Sequence, residues 1–214
     1  WDLSTGLCSF TLEGHSERVR TCVFASSAGL LISGSNDKTL RVWDTSSGQC
    51  LFTLKGFTRN IESCVFSPDS IQLAVITSSE KTFGLWDVSS RQSMMRPAEG
   101  HTGLIHMCKF SPKGSLLATA SRDGTCCLWD ISTGVCVFIL KGHTASVETC
   151  AFSPTGTLLA SGSSDKTCRV WDVVTGRCMF TLEGHTQPVS SCVFCPSGTL
   201  LVSCCGDNIG RVWD

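Results

Sequence analysis

Residues 142–172 read GHTASVETCAFSPTGTLLASGSSDKTCRVWD, and every other segment of the chain is a recognisable copy of this stretch. The copies align on a closing Trp-Asp, at Trp1, Trp43, Trp86, Trp129, Trp171 and Trp213, which sets a period of 42 or 43 residues. No tryptophan lies outside that dipeptide. Gly-His recurs in phase upstream, at Gly14-His15, Gly100-His101, Gly142-His143 and Gly184-His185. Each unit holds continuously apolar runs, such as Cys-Val-Phe and Leu-Leu-Ile, which suit strands covered on both faces, followed by an alternating outer run. In the first complete unit this predicts strands over Val19–Phe24, 30–34, 39–43 and Cys50–Leu54. Ser-Pro-x-Gly at 111–114 and 153–156 puts Pro and Gly where a type I turn takes them, and Asp-x-Ser/Thr-Ser/Thr-Gly turns close the units at 44–48 and 130–134, and nearly so at 172–176. Helical caps and helical periodicity are absent, so the expected class is all-β. The 214 residues suit one domain that buries about 70% of its unfolded surface.

A repeat in the low forties that ends in Trp-Asp and carries Gly-His upstream resembles the WD-repeat family, here along the whole chain. The resemblance implies a β-propeller of four-stranded antiparallel blades, with repeats at about 1–43, 44–86, 87–129, 130–171 and 172–214. Residues 8–12 read as a lone outer strand, while the last repeat supplies three inner strands and no fourth. Pairing the two ends gives five blades closed by the N-terminal strand, and a monomer. A piece of a larger ring, or an open array completed by another copy, stands as the alternative. The absent initiator Met and the Trp-Asp at both ends suggest an excised segment.

Net charge is −1 with both signs interspersed, so no global field recruits nucleic acid or an anionic membrane. The sequence holds no apolar run long enough to span a bilayer and no signal peptide. Most of the fifteen cysteines follow the repeat: Cys22, Cys64, Cys108, Cys150 and Cys192 at one position, and Cys8, Cys50, Cys136 and Cys178 at another. They read as small buried hydrophobes of a reducing compartment, cytoplasmic or nuclear. Cys192 and Cys195 with Cys204 and Cys205 form a weak zinc or redox pattern, in which strand alternation points Cys192 and Cys195 to opposite faces.

Four polar quartets repeat: His15, Ser33, Asp37 and Trp43; His101, Thr119, Asp123 and Trp129; His143, Ser161, Asp165 and Trp171; His185, Ser203, Asp207 and Trp213. A hydrolase needs one such constellation, whereas four copies in one phase indicate a task performed once per blade. The resemblance implies a structural hydrogen-bond chain from the indole N–H through hydroxyl and imidazole to carboxylate, with no catalytic residue, metal or cofactor. The second repeat departs: Phe57, Ile76 and Glu80 stand at the His, hydroxyl and Asp positions, leaving Trp86 without a network. That repeat, with Met94, Met95 and Pro97 in its longer link, reads as ordinary decay or as a soft, partner-docking sector.

By similarity to the family, partners are read on a rim at three positions per blade. These are Arg18, Arg20 and Asn36; Asn60, Glu62 and Ser79; Leu104, His106 and Arg122; Ser146, Glu148 and Ser164; Pro188, Ser190 and Gly206. They vary while Val19, Ile61, Ile105, Val147 and Val189 between them stay aliphatic. The expected function is a non-catalytic scaffold that holds peptides or domains, with Arg18 and Arg20 suited to an acidic or phosphorylated segment. The alternatives are a propeller enzyme, a metal-binding channel with His106, Glu62 and Glu148 as ligands, or part of a seven-bladed scaffold such as a ubiquitin-ligase substrate receptor. Against one adaptor family, Ser4, Ser46, Ser89, Ser132 and Val174 stand where its motif takes Arg.

Overall fold

In the computed structural model, which describes residues 1–26, 29–78, 80–95 and 100–214, the repeat becomes five antiparallel sheets, with no helix among the described residues. The first sheet runs in the order β1 (Val19–Phe24), β2 (Leu30–Ser35), β3 (Leu40–Asp44) and β4 (Cys50–Leu54). The second holds β5 (Ile61–Phe66), β6 (Gln72–Thr77), β7 (Gly84–Asp87) and β8 (Gln92–Met95). The third holds β9 (Ile105–Phe110), β10 (Leu116–Ser121), β11 (Cys126–Asp130) and β12 (Cys136–Leu140). The fourth holds β13 (Val147–Phe152), β14 (Leu158–Ser163), β15 (Cys168–Asp172) and β16 (Cys178–Leu182). The fifth has three strands, β17 (Val189–Phe194), β18 (Leu201–Cys205) and β19 (Gly210–Trp213).

The turns that join the strands are those their residues favour. Gly114 N–H donates to Ser111 C=O at 2.8 Å and Gly156 N–H to Ser153 C=O at 2.9 Å, closing the first hairpin of two blades. Asp44 and Asp130 turn the last hairpin by accepting from the backbone N–H three residues on, at Ser47 and Thr133. Neighbouring sheets then pack face to face, β1 on β5, β5 on β9, β9 on β13 and β13 on β17, so the first strand of each sheet lines the axis of the array. The core lies in these junctions. Between the first two sheets Ile32, Leu40 and Val42 meet Ile61, Phe66 and Leu73, all buried. Central strands such as β10 and β14 are buried on both faces and begin on apolar residues, with only the small hydroxyls of Thr119, Ser121, Ser161 and Ser163 among them.

The closed ring of five does not form. Residues 8–12 make no strand and pair with nothing in the fifth sheet, which keeps three strands, and no packing comparable to the other junctions joins β17 to β1. Instead Phe10 lies against Gly48 in the first blade, so the N-terminal segment belongs with that blade and cannot reach β19 at the far end. The chain is an open arc of five blades with two bare ends. The physical reason is that each junction repeats the same packing, and four repeats of it do not bring the last blade back to the first.

Candidate functional site

In four blades the quartet side chains meet in one geometry. Trp43, Trp129, Trp171 and Trp213 each donate Nε1–H to the hydroxyl of Ser33, Thr119, Ser161 and Ser203, always at 2.8 Å. Those hydroxyls lie 2.7–2.8 Å from Nε2 of His15, His101, His143 and His185. In the first, third and fourth blades the chain ends on a carboxylate: His15 Nδ1 is 2.8 Å from Asp37 Oδ2, His101 Nδ1 is 3.0 Å from Asp123, and His143 Nδ1 is 2.8 Å from Asp165. The indole can only donate and the carboxylate only accept, so each hydroxyl accepts from its Trp and each Nδ1–H donates to its Asp. The hydroxyl sits on the second strand, the Trp on the third and the His on the loop before the first, so the chain of bonds ties three elements of a blade together. Gly100 has φ +154°, and a Cβ there would lie 2.2 Å from Trp129 Cη2. The residue before the His must therefore be glycine for the indole to lie under the loop.

Burial pushes Asp37, Asp123 and Asp165 up, but hydrogen bonds, led by those from Thr39, Thr125 and Thr167, together with the paired His, overcome it and hold each carboxyl at about 2. Burial lowers His101 and His143, and their Asp partners do not restore them. The three threonines are part of the network: each hydroxyl donates to its Asp Oδ1 at 2.6–2.7 Å. Their signal in the sequence is a Thr two residues after each Asp, in phase with the rest.

Two blades depart. In the second, Phe57 is buried where the His would be, but the register sets Val75, not Ile76, at the hydroxyl position, since Val75 faces Cys64 as Ser33 faces Cys22, while Ile76 packs on the opposite face with Phe83 and Leu85. The Phe57 and Trp86 rings stack tilted at 5.0 Å, and Trp86 Nε1 has no acceptor. In the fifth, Cys205 and Ile209 replace the Ser and Thr found in the other networked blades. Arg211 Nη1 enters the gap, 2.9 Å from both Asp207 Oδ2 and His185 Nδ1, while His185 and Asp207 stand 3.7 Å apart. A guanidinium only donates, so His185 Nδ1 accepts and its proton sits on Nε2, the reverse of the other blades. His185, Cys205 and Asp207 are also the one His/Cys/Asp/Glu trio among the described residues whose ligand atoms lie within 4.8 Å of one another. Arg211 already supplies the cation there. Glu62, His106 and Glu148 form no such trio.

The rim positions are set by an irregularity common to all five blades. The register between the first and second strands slips between Val19 and Thr21, Ile61 and Ser63, Ile105 and Met107, Val147 and Thr149, and Val189 and Ser191. The residue left out of the ladder is Arg20, Glu62, His106, Glu148 and Ser190 in turn. A bulge re-aims one side chain and frees it from the facing strand. Its neighbours are brought alongside by backbone bonds: Asn36 N–H donates to Arg18 C=O, Arg122 N–H to Leu104 C=O and Ser164 N–H to Ser146 C=O, at 2.8–2.9 Å. Ser78 N–H makes the same bond to Asn60 C=O; Ser79 itself lies outside the described residues. Pro188 and Gly206 are exposed without this bond.

The basic corner is less free than its sequence suggests. Arg20 Nε donates to Asn36 Oδ1 at 3.1 Å and Nη2 lies 3.3 Å from Glu62 Oε1 of the next blade. Glu148 accepts from Ser164 Oγ at 2.7 Å. Arg18, His106 and Arg122 are exposed.

All fifteen cysteines are free thiols. Burial pushes Cys64 and Cys150 up to about 12, as inert core residues. Cys192 pairs in register with Ser203 and Ser191 with Cys204, so Cys192, Cys195, Cys204 and Cys205 do not converge. Cys195 stands where Ser67, Ser111 and Ser153 begin the other turns, and the Ser197 hydroxyl and Leu200 N–H hold its thiol down at about 6. Pro97 lies outside the described residues. Among the described residues no helix is long and apolar enough to cross a membrane.

A family model described as WD domain, G-beta repeat matches residues 6–44, 48–87, 93–130, 134–172 and 176–214. Among curated proteins, the nuclear distribution protein nudF of Aspergillus flavus is 32% identical over 129 residues, 60% of this chain and 28% of that protein. The guanine nucleotide-binding protein subunit beta of Zea mays is 31% identical over 134 residues, 60% of this chain and 35% of that protein. The small ribosomal subunit protein RACK1y of Oryza sativa subsp. japonica is 30% identical over 74 residues, 35% of this chain and 22% of that protein. The matched stretch thus spans about a fifth to a third of the length of these relatives.

Proposed function

Because this chain belongs to the WD domain, G-beta repeat family, we propose that it is a non-catalytic interaction module whose rim holds peptides or domains of other proteins. The observation that carries this reading is the recurring bulge. Five blades share one frame, and at one place in each the frame releases a side chain from its ladder, where four residue types fill five positions: Arg20, Glu62, His106, Glu148 and Ser190. A surface built for support would repeat with its support; one built for recognition varies. Flanking Arg18 and Arg122 add exposed cations, so the rim suits a segment of mixed charge, with a carboxylate or phosphate at the first blade. The Arg20–Glu62 pair is a third exposed on each side and worth less than about 1 kcal/mol, so a ligand anion can displace it. Residence in the cytoplasm or nucleus fits fifteen unpaired thiols, and nucleic acid is a poor partner for a chain of net charge −1.

The test is fluorescence polarisation against a library of phosphoserine-containing acidic peptides and its uncharged counterpart. Binding to the acidic set should weaken at least tenfold in Arg18→Glu/Arg20→Glu, with melting temperature unchanged. Equal binding by native and variant proteins would remove the first blade from the recognition surface.

A further inference from the structure

The fifth blade gathers a nitrogen, a sulfur and an oxygen donor where the other networks hold a closed chain of hydrogen bonds. In the first, third and fourth blades a serine (Ser35, Ser121, Ser163) stands two residues before the network Asp, and its hydroxyl accepts that residue's N–H. A threonine two residues after the Asp lies 3.2–3.3 Å from His Nδ1 and closes the set. In the fifth blade the serine is Cys205 and the threonine is Ile209, so a thiol enters and a hydroxyl leaves. Leu201, Ser203 and Cys205 alternate onto the face of β18 that packs on Ala160 and Val170 of the fourth blade, so the altered network lies between two blades.

The spacing of the donors is that of a tetrahedral zinc site. Bonds of about 2.0–2.1 Å to nitrogen and oxygen and about 2.3 Å to sulfur put neighbouring ligand atoms about 3.3–3.5 Å apart. His185 Nδ1 stands 3.2 Å from Cys205 Sγ and 3.7 Å from Asp207 Oδ2, and the three ligand atoms lie within 4.8 Å of one another. Ile209 N–H fixes Asp207 Oδ1 at 3.0 Å and leaves Oδ2 turned to the imidazole.

The histidine is also turned the right way. Its Nδ1 accepts from Arg211, while Nε2 faces Ser203 Oγ at 2.7 Å, which in turn accepts from Trp213. The Nδ1 lone pair therefore points into the space shared by the thiol and the carboxylate, and Ser203 holds the ring from behind as an outer partner holds a metal-bound imidazole. In the other three networks Nδ1 carries the proton given to Asp and has no lone pair to offer. Positive charge already favours the position: Arg211 Nη1 is 2.9 Å from both His185 Nδ1 and Asp207 Oδ2.

We propose that His185 Nδ1, Cys205 Sγ and Asp207 Oδ2 bind one zinc ion, which takes the place of the Arg211 guanidinium. On binding, the Cys205 thiol gives its proton to solvent and nothing is oxidised or reduced. The thiolate and the carboxylate then balance the two charges of the ion, which a single guanidinium does not. Arg211 swings aside, and the position it leaves takes water as the fourth ligand. Sulfur and imidazole donors select zinc over magnesium and calcium, which take oxygen.

The test is a titration of the reduced, chelator-stripped chain with cobalt(II), whose tetrahedral thiolate complexes are coloured, followed by competition with zinc(II). One equivalent of cobalt should bind with thiolate-to-metal charge transfer and intense visible bands, and one equivalent of zinc should bleach them. Cys205→Ser installs the residue that the first, third and fourth blades carry, so the fold is kept. It should abolish the charge-transfer band and weaken binding more than about a hundredfold, beyond what loss of an outer partner costs. Cys204→Ser, one residue away on the opposite face, should leave the titration unchanged. Arg211→Ala removes the competing cation and should tighten binding about tenfold, a gain that loss of structure does not produce. A native chain without a tetrahedral spectrum would overturn the proposal. So would a spectrum that survives in Cys205→Ser, which would mean adventitious binding at the other thiols, or an Arg211→Ala variant that binds no more tightly than the native chain.

Discussion

Trp129→Ala should cost about 3–5 kcal/mol of stability, read as a shift of the urea midpoint by circular dichroism. The indole is 2% exposed, packs edge-on to Phe83 at 5.3 Å and lies in the junction of the second and third blades. Its removal opens a cavity and leaves the Thr119 hydroxyl, and through it His101, without its donor. Trp129→Phe separates these effects, since it keeps most of the apolar surface and loses the N–H, and should cost about 1–3 kcal/mol. Trp86 is the internal control. Its Nε1 already lacks an acceptor, so Trp86→Phe removes an unsatisfied donor instead of breaking a bond, and should cost less than Trp129→Phe. Equal costs at the two positions would mean that the hydrogen-bond chain contributes nothing beyond the packing of the ring.

Acid should unfold the arc in two stages. Unfolded carboxyls titrate near 3.8, while Asp37, Asp123 and Asp165 in the folded chain sit at about 2. As pH falls the unfolded state takes up these protons first, so the stability they confer is present above 3.8 and is lost between there and about 2. His101 and His143 act in the same direction. Burial lowers them from 6.5, so below that value the unfolded chain binds protons that the folded chain refuses. Through these groups melting temperature should therefore decline gently below about pH 6.5 and fall steeply below about pH 4. Asp165→Asn should be less stable at pH 7 and shallower on the steep limb. A melting temperature that rises on acidification through pH 6.5 to 5 would contradict neutral, buried imidazoles.

The architecture was legible because each blade states it again: Trp-Asp, Gly-His and the paired turns recur every 42 or 43 residues, and the apolar runs between them fall on β1 to β19. The loss of the second network was legible for the same reason, since Phe57 stands out against the His of four copies. The hydroxyl position reads one residue late, at Ile76, because the longer spacing from Phe57 to Trp86 hides that Val75 is the residue in register. Closure was not. Residues 8–12 have the pattern of an outer strand, and pattern fixes the shape a segment takes but not which sheet it can reach; that depends on how far each junction turns the next blade. The rearranged fifth network was equally hidden, because Cys205 and Ile209 matter through the space they give Arg211, which no repeat pattern encodes. The bulges left no mark in the sequence beyond variability at Arg20, Glu62, His106, Glu148 and Ser190, between aliphatic neighbours that hold the core.

The central claim is that frame and rim are separate sets of residues, one fixed by packing and the other released by the bulges. The measurement that tests it most directly is urea unfolding of a single variant in which Arg20, Glu62, His106, Glu148 and Ser190 are all alanine, beside the native chain. Because these side chains stand outside the ladders, and the Arg20–Glu62 pair is exposed, the two curves should agree to within about 1–2 kcal/mol for all five changes together. A loss on the scale of Trp129→Ala would show that the bulged residues hold the blades together and would contradict the account.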